Sequence, residues 1–237
     1  MSSGELEGSR VNNWDMRLAR IIDHTILRPD ATEDEVRRVC REACDYHFAA
    51  VVVPPCYVPL AVRATGGKGV PVCSVVSFPF GWDTTEHKLR QTEALLQAGV
   101  DEIDVVMNIT RFLSGDHAVV RKEAAEIAAL CGEEVAVKLI IETACLSEEQ
   151  IALAASLGVE GGARFIKTST GYARRGATVD DVRVIKAAVE ERAGIKAAGG
   201  IRTRTQAEAL VQAGATRLGC SASVDVVCAG SPGSAGS

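Results

Sequence analysis

Ala163-Arg-Phe-Ile-Lys-Thr-Ser-Thr-Gly-Tyr172 is an apolar, β-branched run with a lysine at its centre, ending in hydroxyls and a glycine. Phe165, Lys167 and Ser169 share one phase of a two-residue alternation, which reads as a strand opening into a polar loop. The same strand-and-loop unit recurs along the chain, and that recurrence decides the fold. Strands are expected at 21–27, 49–53, 70–78, 101–107, 134–142, 164–169, 194–198 and 215–219. Helices are expected between them at 32–47, 56–64, 85–97, 109–131 (broken near 114–116), 147–157, 178–192 and 203–213. Thr32 and Glu35 form a capping box, and Ser147, with Glu149 and Gln150 close by, starts a helix that Gly158 is expected to end. Eight alternating units with near-continuous apolar strands mean a parallel sheet covered by helices. In one domain, here 13–228, that count predicts a closed (β/α)8 barrel, the TIM-barrel class of α/β folds, preceded by a short helix within 14–22. No Gly-x-Gly-x-x-Gly follows the first strand, which argues against a dinucleotide-binding sheet. Residues 1–12 and the Gly/Ser/Pro-rich 229–237 read as flexible ends.

Composition narrows the function classes. A chain of 237 residues, 47% hydrophobic, is long enough for one large core. Its net charge of -5 and lack of a basic block give no reason to expect a nucleic-acid partner. No run reaches the length of a membrane span, and the polar start has no signal-peptide core. The eight cysteines include no Cys-x-x-Cys pair, so reduced thiols in a cytoplasm fit better than disulfides or zinc. With four scattered histidines, neither a metal nor a cofactor is expected.

The charges fall on one phase of four consecutive strands. Asp104 alternates with Ile103 and Val105, Lys138 with Val137 and Leu139, and Lys196 with Ile195 and Ala197. Together with Lys167 they are expected to point into one barrel interior, where neighbouring strands lie only ~4.8 Å apart. A single buried lysine is usually a paired structural one. Three lysines facing one carboxylate leave positive charge in excess. At an effective dielectric of ~20, like charges 4 Å apart repel by roughly 4 kcal/mol, enough to deprotonate an amine near neutral pH. A neutral lysine amine attacks carbonyls and forms a Schiff base. Gly171, Gly199, Gly200 and Gly219–Ser221 follow strands six to eight, where backbone amides and a helix start at Ser221 would favour a phosphate.

On these residues the sequence resembles the deoxyribose-phosphate aldolases, a class I aldolase family. The marks are DHTIL at 23–27, SFPFG at 77–81, DEIDVVMN at 101–108, VKLIIET at 137–143, FIKTSTGY at 165–172, GIKAAGGIRT at 194–203 and RLGCSA at 217–222. The resemblance implies that Lys167 is the Schiff-base nucleophile, that Lys196 lowers its pKa, and that Asp104 relays protons. Gly171, Gly199, Gly200 and Ser221 match phosphate-binding positions, and Asp23 and Thr25 match residues near the substrate. Lys138 is given a supporting place, holding Asp104 ionised, and Glu102 and Glu142 are read as structural partners. Val52 stands where the family usually has cysteine, Ser77 where it has glycine, and Ala222 where it has serine.

The implied reaction is reversible cleavage of 2-deoxy-D-ribose 5-phosphate to D-glyceraldehyde 3-phosphate and acetaldehyde, in deoxyribonucleoside catabolism. The implied partners are a sugar phosphate and small aldehydes, with a homodimer as the family's expectation. Two alternatives stand beside it: another Schiff-base barrel such as a transaldolase, and a catalytically silent barrel that binds a phosphorylated metabolite.

Overall fold

Eight parallel strands pair in chain order and the last returns to the first, so the sheet closes on itself. They are β1 (Ile22–Thr25), β2 (Ala50–Val52), β3 (Val72–Val76), β4 (Glu102–Val106), β5 (Ala136–Ile140), β6 (Phe165–Lys167), β7 (Gly194–Ala198) and β8 (Arg217–Cys220). The computed structural model describes residues 14–228, so the expectation of flexible ends at 1–12 and 229–237 lies outside the described residues. The (β/α)8 barrel read from the alternation is the observed architecture.

Strand boundaries are shorter than the apolar runs, and hydrogen bonds explain the difference. Val53 N–H still donates to the Cys73 carbonyl at 3.1 Å and Ala49 N–H to the Ile22 carbonyl at 2.9 Å, one residue beyond each end of β2. Pro54 and Pro55, which bring no N–H, then turn the chain into a short 3-10 segment, Pro55–Tyr57, and the helix Val58–Thr65.

Helix starts follow their caps. The Thr32–Glu35 box is closed in both directions. At Ser147 the reciprocal partner is Gln150, while Glu149 only accepts from the serine hydroxyl at 2.8 Å. The break near 114–116 is real, separating Ile109–Leu113 from His117–Cys131. One expectation fails. Gly158 does not end its helix, which runs over Glu148–Glu160. A Cβ there would sit 2.6 Å from Ile166 Cδ1 and 2.9 Å from Leu139 Cδ2, so the glycine lets the helix lie directly on β5 and β6. It is a packing residue inside a helix.

The strand phases sort as expected. Val51, Val53, Val72, Ile103, Val105, Val137, Leu139, Ile166, Ile195, Ala197 and Leu218 lie with the helices in the large core between sheet and helical ring. The opposite phase faces the barrel interior, which is not uniform. Beside β2 and β3 it is filled by Ala50, Val52, Cys73 and Val75, with Leu27 and Phe78 packed against them. From β4 round to β1 it carries charge.

Candidate active site

Strand register sets the charged layer. Asp104 lies beside Lys138, Lys167 beside Lys196, and Lys196 beside Arg217. Inward side chains converge from several strands, and all three lysine ammonium positions meet one carboxylate. Asp104 accepts from Lys138 through Oδ1 at 2.8 Å, and from Lys167 and Lys196 through Oδ2 at 2.8 and 2.7 Å. Lys167 and Lys196 thus share a single oxygen atom and are within electrostatic reach of each other. The structure brings the four residues read from strand phase together.

It also adds three charged groups to that layer. Asp23 Oδ2 lies 2.5 Å from Lys196 Nζ and 3.7 Å from Lys138 Nζ. Glu102 Oε2 lies 2.7 Å from Lys138 Nζ. Arg217 reaches Asp23 at 2.7 Å and both Glu102 oxygens at 3.3 Å. The charge excess is therefore smaller than three lysines against one carboxylate: four cations face three carboxylates. Arg217 escaped the sequence reading although it alternates with Leu218 and carries the same signal as the lysines. Cys73, which donates to Asp104 Oδ1 at 3.3 Å and accepts from Lys138 at 3.2 Å, looked like one more apolar strand residue.

Contacts sort the three amines. Lys138 and Lys196 each meet at least two carboxylates, whereas Lys167 meets Asp104 alone. Burial pushes Lys167 below the usual lysine range; Asp104 pulls the other way, and Lys196 adds to the depression. Burial is thus the first cause, ahead of the like-charge repulsion that the sequence suggested. Lys196 is as buried, yet Asp104 and Asp23 outweigh that and hold it above the usual range. Lys138 is held further above it, with Asp104 its strongest partner against burial. Against its own burial, Asp104 is held well below the usual carboxylate range by Lys138, Lys167 and Lys196. Burial likewise opposes ionisation of Asp23, but Lys196, Lys138 and Arg217 bring it down to about 2.

Above this layer a cavity of about 420 Å³ opens at the C-terminal ends of the strands. Lys167 reaches its wall, as do Thr25, Gly171, Gly199, Gly200 and Ser221. Asp23 does not. It lies fully buried in the ion layer, where its side chain turns inward at the level of Gly219 and pairs with cations. Asp104 and Lys196 are also fully buried, so Lys167 is the only one of the three lysines that lines the cavity. Arg28, Arg38 and Arg202 add positive charge at the rim.

The glycine loops owe their sequence to close approach. Gly199 has φ of 87°, and a Cβ there would meet Gly176 Cα at 3.0 Å and Gly171 Cα at 3.4 Å. Gly176, the other side of that crossing, was missed for want of any local turn signal. Ser221 precedes the last helix, which begins at Ser223 rather than at Ser221, and Ser223 Oγ donates to the Cys220 carbonyl at 2.9 Å. Among the described residues that helix spans Ser223–Cys228.

The arrangement can hold one amine uncharged next to held ammonium groups, at the floor of a cavity with a cationic rim. Comparison with known proteins points the same way. A model of the DeoC/LacD family aldolases matches residues 17–228. The deoxyribose-phosphate aldolase of Caldanaerobacter subterraneus subsp. tengcongensis is 44% identical over 214 residues, covering 90% of this chain and 93% of that protein. The deoxyribose-phosphate aldolase of Treponema denticola is 43% identical, covering 90% of this chain and 99% of its own. Among solved structures, the tetrameric deoxyribose phosphate aldolase from Aeropyrum pernix superposes with a TM-score of 0.83 at 36% identity, covering 89% of each chain. Mandelate oxidase, at a TM-score of 0.61 and 14% identity, shares the barrel fold alone. With the match running from just ahead of β1 to the last described residue, and the ion layer inside it, the chain belongs to the DeoC/LacD aldolase family.

Proposed function

We propose that the chain cleaves 2-deoxy-D-ribose 5-phosphate reversibly to D-glyceraldehyde 3-phosphate and acetaldehyde, through a Schiff base on Lys167. The observation that carries this reading is the asymmetry among the amines: Lys167 alone reaches the cavity, and it has the fewest carboxylate partners. Family membership and the activity for which its relatives are named support the substrate.

Neutral Lys167 adds to the C1 aldehyde of the open-chain sugar, and the carbinolamine loses water to give a protonated imine. That imine accepts the electron pair of the C2–C3 bond as the C3 hydroxyl gives up its proton, releasing C3–C5 as glyceraldehyde 3-phosphate and leaving C1–C2 as an enamine. Protonation of the enamine carbon and addition of water then free acetaldehyde and the amine. Asp104, through a water, is the group that relays these protons. A carboxylate held so far below its usual range passes a proton on rather than keeping it. Lys196 remains an ammonium and polarises the carbinolamine oxygen, and Lys138 holds Asp104 in place from the opposite oxygen. Thr25 is placed to meet the sugar, while Gly171, Gly199, Gly200 and Ser221 offer backbone amides and a hydroxyl to the 5-phosphate.

The test is chemical trapping. Borohydride added with acetaldehyde should fix an ethyl group on Lys167, located by peptide mass spectrometry. An adduct on a different lysine, or activity with ketose donors only, would replace this assignment with the transaldolase alternative. No adduct at all would favour a barrel that only binds a phosphorylated metabolite. The eight cysteines are all free, which supports a reducing cytoplasm as the compartment. A homodimer is proposed as the assembly, with sedimentation equilibrium as its check.

A further inference from the structure

Arg217 takes no part in the reaction described above, yet it is built into the same interior. It opens β8 at the end away from the cavity. Its guanidinium donates to Asp23 and Glu102, and its carbon lies 5.1 Å from the centre of the Phe165 ring. Asp23 hands the contact on to Lys196, Lys196 to Asp104, and Asp104 to Lys167. A continuous chain of ion pairs therefore runs from the foot of the barrel to the cavity floor.

The charged side chains joined to Lys167 through this ion layer, among the described residues, can be named; Glu142, beyond the end of β5, accepts instead from Thr170. Strand β1 gives Asp23, β4 gives Glu102 and Asp104, β5 gives Lys138, β7 gives Lys196 and β8 gives Arg217. Strand β3 gives the thiol of Cys73, which burial and Asp104 push up, so it stays uncharged. Strand β2 gives only Ala50 and Val52. Four cations thus meet three carboxylates. Lys138 has Asp104 and Glu102, Lys196 has Asp104 and Asp23, and Arg217 has Asp23 and Glu102. Each of these three cations meets at least two carboxylates, Lys138 also lying 3.7 Å from Asp23, and Lys167 shares one. A dry interior disfavours uncompensated charge, and a guanidinium does not give up its proton, so the surplus is removed at the lysine with the weakest hold.

We propose that Arg217 is a positioning residue for the aldolase reaction, the fourth cation that occupies Asp23 and Glu102 and so leaves Lys167 as the one amine without a carboxylate of its own. Remove Arg217 and three lysines face three carboxylates. Lys167 then keeps its proton, and the nucleophile is lost at neutral pH without any change at the cavity wall. This inference rests on the Schiff-base reading of Lys167 and goes one step behind it.

The experiment is the pH dependence of kcat/KM for deoxyribose 5-phosphate, together with the pH dependence of acetaldehyde trapping at residue 167. In Arg217→Gln the acid limb should move to higher pH by about one unit, with a ~10-fold loss near neutrality that is recovered in alkaline buffer. Adding Glu102→Gln to that variant restores a surplus of one cation, and the profile should return towards that of the parent. A merely structural arginine would not be rescued by deleting its partner. Glu102→Gln alone should move the limb to lower pH, which tests the count even where Arg217→Gln folds poorly. An acid limb that stays in place in the folded single variants, or a double variant that stays shifted, would overturn the proposal while leaving the Schiff base intact. Absence of any adduct in the parent protein at every pH would overturn both.

Discussion

The two sides of the barrel interior are built on opposite principles. Beside β2 and β3 the inward residues are Ala50, Val52, Cys73 and Val75, a small dry apolar cluster. Across from them, β4 to β8 and β1 place seven charged side chains in mutual contact. Both sides are buried to a similar degree, so exposure does not distinguish them. What differs is the energy at stake. On the apolar side each side chain contributes by leaving water, and neighbours contribute nearly independently. On the ionic side every group is stabilised only through its partners, so the groups stand or fall together. The apolar side lets the interior close, and the ionic side sets the protonation of its members.

Removing the proposed nucleophile should show the largest effect on activity and the smallest on the fold. Lys167→Met is expected to lower kcat/KM for deoxyribose 5-phosphate cleavage by ~10⁴-fold or more. The urea midpoint should hold or rise, because the variant replaces a buried amine by an apolar chain of similar volume. A coupled assay for glyceraldehyde 3-phosphate alongside equilibrium unfolding checks both halves.

Paired substitutions measure the contrast in stability. Asp104→Asn leaves three amines around a neutral amide and is expected to cost about 3–5 kcal/mol, as breaking a buried ion pair does. Val52→Ala, in the apolar cluster, removes two methyl groups and should cost about 1–3 kcal/mol. Urea denaturation of the two variants at neutral pH ranks them. Equal costs would mean that the ionic layer is no more cooperative than the apolar one.

Acid should act on the ionic side alone. The folded protein holds Asp23 at about 2, below its ordinary value of 3.8, so this group binds a proton more readily in the unfolded chain. Its contribution is complete above the unfolded value and is lost as pH falls through the folded one. The window is therefore roughly pH 4 to 2, and the amount is on the order of 2 kcal/mol. The Asp104 carboxylate, also held low, steepens the same fall. In Asp23→Asn the fall in unfolding free energy across that window should be shallower than in the parent, whereas Val52→Ala should parallel the parent. Chemical unfolding at several pH values reads the slopes.

The asymmetry also explains how far the sequence could be read. Alternation on β4 to β7 was enough to place Asp104, Lys138, Lys167 and Lys196 together, because a charge breaking an apolar phase is conspicuous. Asp23 lies in a four-residue strand, too short to set its phase against the loop that follows. Arg217 stands at the first residue of β8, where a strand arginine is easily taken for the polar end of a helix-to-strand join. The apolar side left no trace, since Ala50 and Val52 inward and Val51 and Val53 outward are the same kind of residue. Gly158 misled for a related reason: a glycine that ends a helix and one that lets a helix touch a sheet look identical until Leu139 and Ile166 are seen against it.

A backbone irregularity on the apolar side gives the smallest prediction. Ser77, immediately after β3, has φ of 54°, in the left-handed region. The fold insists on that conformation from both directions. Ser77 N–H donates to Gln91 Oε1 at 2.9 Å, and its carbonyl accepts from Gly81 N–H at 2.8 Å, closing the turn that carries Phe78 over the cluster. A side chain with a Cβ costs about 1–2 kcal/mol in that region, which is why glycine suits the position. Glycine gives back part of the gain through the freedom it adds to the unfolded chain, about 0.4–1 kcal/mol. The serine hydroxyl offsets little, since it accepts only a long contact of 3.4 Å from Asp83 N–H. Ser77→Gly should therefore raise stability by up to ~1 kcal/mol, read as a higher urea midpoint with unchanged slope. Because the hydrogen bonds of Ser77 go to Gln91, Gly81 and Asp83 rather than to the ion layer, the acid limb of the activity profile should stay where it is. A shift of that limb would mean that the two sides of the interior are coupled through the β3–β4 pair, and the contrast drawn between them would have to be abandoned.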